Sequence, residues 1–405
     1  MYSTSVTQGT LMEATHRVAG TAERDVQELL VFLKRAVSDG APVGLDLRSL
    51  DDGRASARRV GPWWASSVTN LLAGYFSDLP LRVALPAARG VQLQLLRGGL
   101  YHALAQRPGH VAYTASNDFT EDALRSSTGD WTPKTGPVLF GEASGTPLSE
   151  RSYLYANTHA RAESGYFRRY EGSAAFPFLG EIIPRPLASA GREARRMFLL
   201  WACKALVEVL DNFSTHAFNR LDASFDADWL EPMVVDRARS CLLVGVTTGG
   251  TDSYDRLHFV ALDNGFGIPR TMRWKHPAPL QSARSADIVE CVLRERLTNR
   301  NIDGHAGGGL WCLSVLAEFA GGTIWVTSED DLSDGQSATR IQVDVPAIRS
   351  DDQSLQVRRR SIHLPWRGTT VHVQIRIPRL EDVDEHQLRE FRNRLYRNSS
   401  VPQPV

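Results

Sequence analysis

Three short stretches in the C-terminal half of the chain carry residue types that could do chemistry. The first is Glu208-x-x-x-Asn212-x-x-x-His216. On a helix, a spacing of four keeps these side chains on one face, drifting by about 40° per step. Leu206, Val209, Leu210 and Phe213 fall on the opposite face and suit a core. The stripe offers a carboxylate, an amide oxygen and an imidazole, although the same spacing also describes a plain solvated face. The second stretch is Asp263-Asn264-Gly265-Phe266-Gly267-Ile268, directly after the apolar run LHFVAL. An acid at the end of a buried strand can accept a hydrogen bond from an exocyclic amine, and the two glycines let backbone approach a flat ligand closely. Alone, it reads equally as a tight turn. The third is Gly304-His305-Ala306-Gly307-Gly308-Gly309-Leu310, at the start of a helical pattern. Exposed amide N–H groups and the helix macrodipole favour an anion there, which is chemistry for holding phosphate. Taken alone it could be a flexible linker.

Competing motifs are missing. No lysine follows a glycine, so there is no P-loop, and neither G-x-G-x-x-G nor G-x-S-x-G occurs. The four cysteines, Cys203, Cys241, Cys291 and Cys312, form no C-x-x-C pair, which argues against a zinc knuckle and for reduced thiols in a cytoplasmic setting.

The elements that must position these stretches follow from periodicity. Residues 192–219 read as one long helix, 242–247 and 257–262 as neighbouring strands, and 286–297 and 310–319 as helices. Residues 323–327, 340–345 and 369–377 alternate as strands. Helices on one face of a mixed, mostly antiparallel sheet give an α+β sandwich over residues 189–380. Residues 381–405 form a charged C-terminal helix and tail. Upstream, residues 1–20 are polar and frayed. Residues 21–110 form a smaller α/β domain, with a helix at 21–38, strands at 42–47 and 81–85, and helices at 63–75 and 91–104. Residues 111–188, punctuated by proline, glycine and serine, read as a connector. The run Arg358-Arg359-Arg360 falls between two late strands and reads as a surface loop rather than a nucleic-acid contact.

The order of the three stretches, closed by Gly368-Thr369 ahead of the strand VHVQIRIP, closely resembles the ATP-binding domain of the GHKL superfamily. That superfamily joins gyrases, heat-shock chaperones, histidine kinases and mismatch-repair ATPases. The resemblance covers about half of the chain and implies a Bergerat-type sandwich that binds ATP with Mg²⁺. It places Asn212 on the Mg²⁺, Asp263 on the adenine amino group, and Gly265, Gly267 and Ile268 around the base. Gly304, Gly307, Gly308, Gly309 and Leu310 fall on the phosphate side, and Thr369 near the adenine. Glu208 matches the acid that orients or deprotonates the attacking water in the ATPase branches. Residues 283–303 match the ATP lid, with Arg284, Arg294, Arg296 and Arg300 as candidate phosphate partners or simply a solvated basic face; His216, two turns past Glu208, reads as capping or packing, with a phosphate contact as the alternative. The order of elements in residues 21–110 resembles a STAS module, the small α/β domain of anti-sigma antagonists.

These resemblances imply a cytoplasmic bacterial regulatory protein: a slow ATPase whose nucleotide pocket acts as a conformational switch and whose N-terminal domain meets a protein partner. A protein kinase of the anti-sigma type, acting on serine, threonine or histidine of a separate protein, is the first alternative. A nucleotide-sensing interaction module without turnover is the second. No histidine ahead of the pocket has the sequence context of an autophosphorylation site, and no second domain large enough for a gyrase-like transducer follows it. Ser66 and Ser67, at a helix start, are the candidate phosphoacceptors, with capping as the plainer reading. A homodimer is compatible with this picture.

Composition agrees with a folded, uncharged-on-average chain. Of 405 residues, 42% are hydrophobic and 23% charged, and 46 basic residues balance 46 acidic ones. That balance gives no global field for nucleic acid. Only four of the basic residues are lysines. No basic start followed by an apolar run suggests a leader, and no apolar stretch is long enough for a membrane span.

Overall fold

The computed structural model describes residues 14–18, 21–51, 62–72, 76, 79, 81–86, 88, 91, 94–95, 100, 111–114, 136–141, 152–157, 190–212, 242–248, 256–263, 265–275, 280–294, 309–330, 337–345, 356–376 and 385–397. The chain divides into two units, Met1–Lys134 with Glu142–Pro147, and Thr135–Gly141 with Leu148–Val405. Together they give an α+β protein.

The first unit is built on a parallel sheet of β1 (Ala14–Arg17), β2 (Val43–Asp46), β3 (Leu81–Leu85) and β4 (Val111–Thr114), paired in that order. Strands β2 and β3 are short apolar runs because a parallel sheet is covered on both faces; Val43, Leu45, Leu81, Val83 and Leu85 are all buried. Helix α1 (Glu23–Asp39) buries Val26, Leu29, Leu30 and Leu33 along one stripe. Its first turn is closed by Asp25, whose carboxylate accepts the Ala22 N–H at 2.6 Å. Its C-terminus is closed by Gly40 in the left-handed region. Helix α2 (Pro62–Asn70) follows.

Three features of this unit depart from the sequence reading. Strand β1 lies inside the stretch read as a frayed terminus, and β4 inside the stretch read as a connector. Four-residue strands that pair with a neighbour far along the chain leave no periodicity to read. Ser66 and Ser67 are interior residues of α2, not helix caps. Both are buried, and their hydroxyls donate to the Trp63 carbonyl at 3.1 and 2.7 Å. Neither is presented as a phosphoacceptor.

His16 on β1 stacks on Phe32 of α1, with ring centroids 5.0 Å apart. Burial holds its pKa below the ordinary 6.5, against the opposing pull of Glu28. The folded unit therefore keeps the neutral imidazole while the unfolded chain takes up the proton. Stability of this unit falls as pH drops below the unfolded value, between about pH 6.5 and the lowered folded pKa, and then levels off. Urea midpoints measured at about pH 7.5 and about pH 5 check this, with His16→Phe flattening the dependence.

The second unit centres on a six-stranded sheet in the order β11-β10-β9-β12-β8-β7, every pairing antiparallel. Its strands are β7 (Leu242–Thr248), β8 (Arg256–Asp263), β9 (Gly322–Glu329), β10 (Ala338–Val345), β11 (Gln356–Ile362) and β12 (Thr369–Arg376). The remaining strands, β5 (Gly136–Gly141) and β6 (Ser152–Asn157), form an antiparallel hairpin within the former connector. Alternation puts Ile324, Val326, Ile341, Val343, Val371 and Val373 on one face, in a single core with the helices. Those helices are α3 (Ala190–Asn212), α5 (Ser285–Arg294) and α6 (Gly309–Ala320), together with Leu388 of α7 (Glu385–Arg397). The C-terminal helix expected from the sequence thus reaches the same core through Leu388. A short α4 (Ile268–Lys275), not foreseen from the sequence, follows β8. Among the described residues, no helix is long and apolar enough to cross a membrane.

The arginine run is also corrected. Arg358, Arg359 and Arg360 lie on β11, paired with Gln342, Ile341 and Arg340 of β10. Arg359 reaches the helical side and meets Glu290 at 2.7 Å and Asp287 at 2.9 Å on α5. Arg358 lies 3.7 Å from Asp344. The charge serves cross-element pairing at a sheet edge.

Candidate functional site

Strand β8 is held between β7 and β12, with Leu262 opposite Thr370 and Asp263 opposite Leu242. This register delivers Asp263 to the end of the strand with 3% of its surface exposed. A buried carboxylate needs donors. One is the Gly265 N–H, 2.7 Å from Oδ1. Phe266 then turns inward and is buried against Trp274 of α4, ring centroids 4.9 Å apart and edge-on. Gly267 has φ of 76°, a conformation that favours glycine. Helix α4 begins at Ile268, whose N–H donates to Ser328 Oγ at 2.9 Å. Thr271 closes the first turn by donating to the carbonyl of Gly267 at 3.1 Å.

A second turn faces this one. Gly368 has φ of 68°, and a Cβ placed there would stand 2.4 Å from Asp263 Oδ1. Thr369 begins β12 opposite Ser328, and the two hydroxyls are 3.3 Å apart. Asp263, Gly265, Gly267, Ile268 and Thr369 are therefore brought together. The Ile268 side chain packs against the core, leaving its backbone to the turn.

Ser328, Glu329 and Arg270 complete the cluster and escaped the sequence reading. Glu329 is buried, accepts the Gly368 N–H at 3.3 Å and lies 3.6 Å from the Arg270 guanidinium. The available signal was a polar Ser-Glu pair ending an apolar strand; its partners lie about 40 to 60 residues away in sequence, as the Gly368 and Ile268 bonds show.

Glu208 and Asn212 occupy the last two turns of α3, on a helix whose Ala205 and Val209 enter the core. Gly309 and Leu310 open α6, and Leu310 is buried in that core. Gly304, Gly307, Gly308, His216, Arg296 and Arg300 lie outside the described residues. The start of the expected lid is not lid-like. Helix α5 buries Ile288, Val289 and Leu293. Ser285 donates to Asp330 at 2.8 Å, and Arg273 donates to the Ala283 carbonyl at 2.6 Å. Arg284 is engaged with Asp287, and that hydrogen bond holds the Asp287 carboxyl below its ordinary range. The rest of the expected lid, residues 295–303, lies outside the described residues.

No family model matches the chain, and no curated protein is found to be similar to it. The chemistry of the cluster is its own evidence. A buried carboxylate accepts hydrogen bonds, and the Ser328 and Thr369 hydroxyls of the same cluster can donate or accept.

Proposed function

We propose that the second unit binds Mg·ATP in a GHKL-type pocket and works as a nucleotide-driven regulatory switch. The observation that carries this reading is the buried Asp263 turn seated against Gly368-Thr369 in an antiparallel sandwich. The carboxylate suits an adenine amino group, and the two glycine turns, where a Cβ would strike neighbouring protein atoms, keep backbone close around it. Asn212 would offer one amide oxygen to Mg²⁺, whose other positions are commonly filled by phosphate and water. The metal and nucleotide would supply charge neutralisation and the phosphoanhydride bond. Glu208, one helical turn before Asn212, would orient a water or take its proton. Gly309, with the glycines before it, would present backbone N–H groups to phosphate at the start of α6. ATP binding would then shift how the N-terminal unit meets a protein partner.

The test is incubation of the full chain with γ-labelled Mg·ATP, scoring free phosphate and protein-bound label together. Free phosphate is expected, reduced in Glu208→Ala while ATP stays bound. Asn212→Ala is expected to weaken Mg-dependent binding about tenfold, a loss of one ligand to the ion. Label on the protein would replace the switch reading with a kinase. ATP binding without either signal would leave a sensor, and no binding at all would remove the site assignment.

A further inference from the structure

Glu329 stands at the end of β9 and holds both glycine turns at once. Its own N–H donates to the Gly368 carbonyl at 2.9 Å, and its carboxylate Oε2 accepts the Gly368 N–H at 3.3 Å. The other carboxylate oxygen lies 3.6 Å from Arg270 Nη2, and the two side chains are 8% and 15% exposed. Arg270 sits in the first turn of α4, three residues after Gly267. A Cβ placed on Gly267 would stand 3.1 Å from Glu329 Cβ. One side chain therefore touches the Gly368 turn directly, packs against the Gly267 turn, and reaches the helix that the second turn starts. Asp263 lies between the two turns, bonded to Gly265 and covered by Gly368.

A buried ion pair is a poor device for stability alone, since desolvation offsets most of the Coulomb gain and an apolar pair of similar volume would serve as well. At 3.6 Å the Arg270 contact is a close ion pair rather than a hydrogen bond, and its use is to hold the buried Glu329 carboxylate in place beside the Gly368 N–H. We propose that Glu329 and Arg270 are positioning residues that set the spacing of the two glycine turns and thereby make the pocket choose adenine over guanine. This rests on the ATP-binding reading above. Adenine presents an amino donor to the Asp263 carboxylate, and guanine presents a carbonyl acceptor at the same edge. Attraction in one case and repulsion in the other discriminate only while the base is held in register with the carboxylate. A loosened spacing lets the base slide and the difference shrinks.

The experiment uses the full chain and the variants Glu329→Ala, Arg270→Met, the double variant and Arg270→Lys. Calorimetry measures Mg·ATP and Mg·GTP binding. Amide hydrogen exchange is followed without nucleotide over residues 265–268 and 366–370, with residues 338–345 as the reference. Each single loss is expected to weaken ATP binding about tenfold and GTP binding much less, so that the ATP-to-GTP preference contracts about tenfold. The double variant is expected to be no worse than the weaker single one, because the pair acts as a unit. Arg270→Lys is expected to recover most of the preference. Exchange at both turns should quicken about tenfold while the reference segment is unchanged. Equal weakening of ATP and GTP, or faster exchange spread over the reference segment, would make the pair merely structural and overturn the proposal. Unchanged exchange at the turns would overturn it whatever the nucleotide data. A parent chain that binds neither nucleotide sinks the ATP reading and the selectivity with it, and exchange then reports on the turns alone.

Discussion

On the proposed ATP-binding reading, Asp263→Asn is expected to lower the affinity for Mg·ATP about 100-fold while leaving the urea midpoint close to that of the parent. The substitution keeps the size of the side chain and an oxygen that can accept the Gly265 N–H, now 2.7 Å away. It removes the charge and sets an amide donor against an amino donor. A hydrogen bond to a charged group contributes about 1.5–3 kcal/mol, and 100-fold corresponds to about 2.7 kcal/mol, so this one contact can account for the loss. Stability is spared because the turn retains its internal bond. Isothermal titration with Mg·ATP, beside urea unfolding of the same samples, reads both quantities. Binding within threefold of the parent would show that Asp263 is a turn former only.

Gly368→Ala gives the largest loss of stability of any single methyl addition at the site. Two costs coincide there. The residue has φ of 68°, and a left-handed residue with a Cβ costs roughly 1–2 kcal/mol. The new Cβ would also stand 2.2 Å from the Asp263 carbonyl oxygen and 2.6 Å from the Gly265 nitrogen. Those are backbone atoms, Asp263 paired in the β7–β8 ladder and Gly265 bonded to the Asp263 side chain, and they cannot swing away as a side chain can. Overpacking of this kind typically adds about 1–3 kcal/mol, a large share of the roughly 5–15 kcal/mol that holds a domain folded. Gly267→Ala is the internal control. Its φ of 76° carries the same conformational cost, yet its Cβ would meet the Ser328 hydroxyl at 3.0 Å, the Glu329 Cβ at 3.1 Å and the Glu329 carbonyl at 3.3 Å, contacts longer than any of those at Gly368. Thermal unfolding should rank the parent above Gly267→Ala, and Gly267→Ala above Gly368→Ala. Equal shifts for the two variants would mean that the turn yields and that the close approach is not a constraint.

Much of the framework was legible because its signals are local. The run LRVAL became β3 with the expected bounds, Leu81–Leu85, since a short apolar run needs only the neighbouring sheet to bury it. The alternation of ATRIQVDV put Ile341 and Val343 in the core and Gln342 on the opposite face. Asp263 at the end of LHFVAL and Thr369 at the start of TTVHVQIR were identifiable for the same reason: a strand end and a glycine turn announce themselves within a few residues. What stayed hidden is pairwise. The arginines of β11 read as loop because three adjacent charges suggest solvent, and only the approach of Glu290 and Asp287 on α5 makes Arg359 a cross-element partner. Strand β1 was read as a frayed end because four residues pair with β2 and pack through His16 on Phe32, neither of which leaves a pattern.

The sequence by itself thus determined most strands of the six-stranded sheet, the apolar faces of the helices and the two glycine turns, since period, propensity and glycine content act within a single element. Tertiary structure alone decided that Glu329 would grip Gly368 across 39 positions, that Ser328 would meet Ile268 across 60, and that α5 would be fastened rather than free. Those contacts depend on which strands lie side by side. Sheet order is set by the total burial of a shared core and by ladder register, quantities that no short stretch of residues carries.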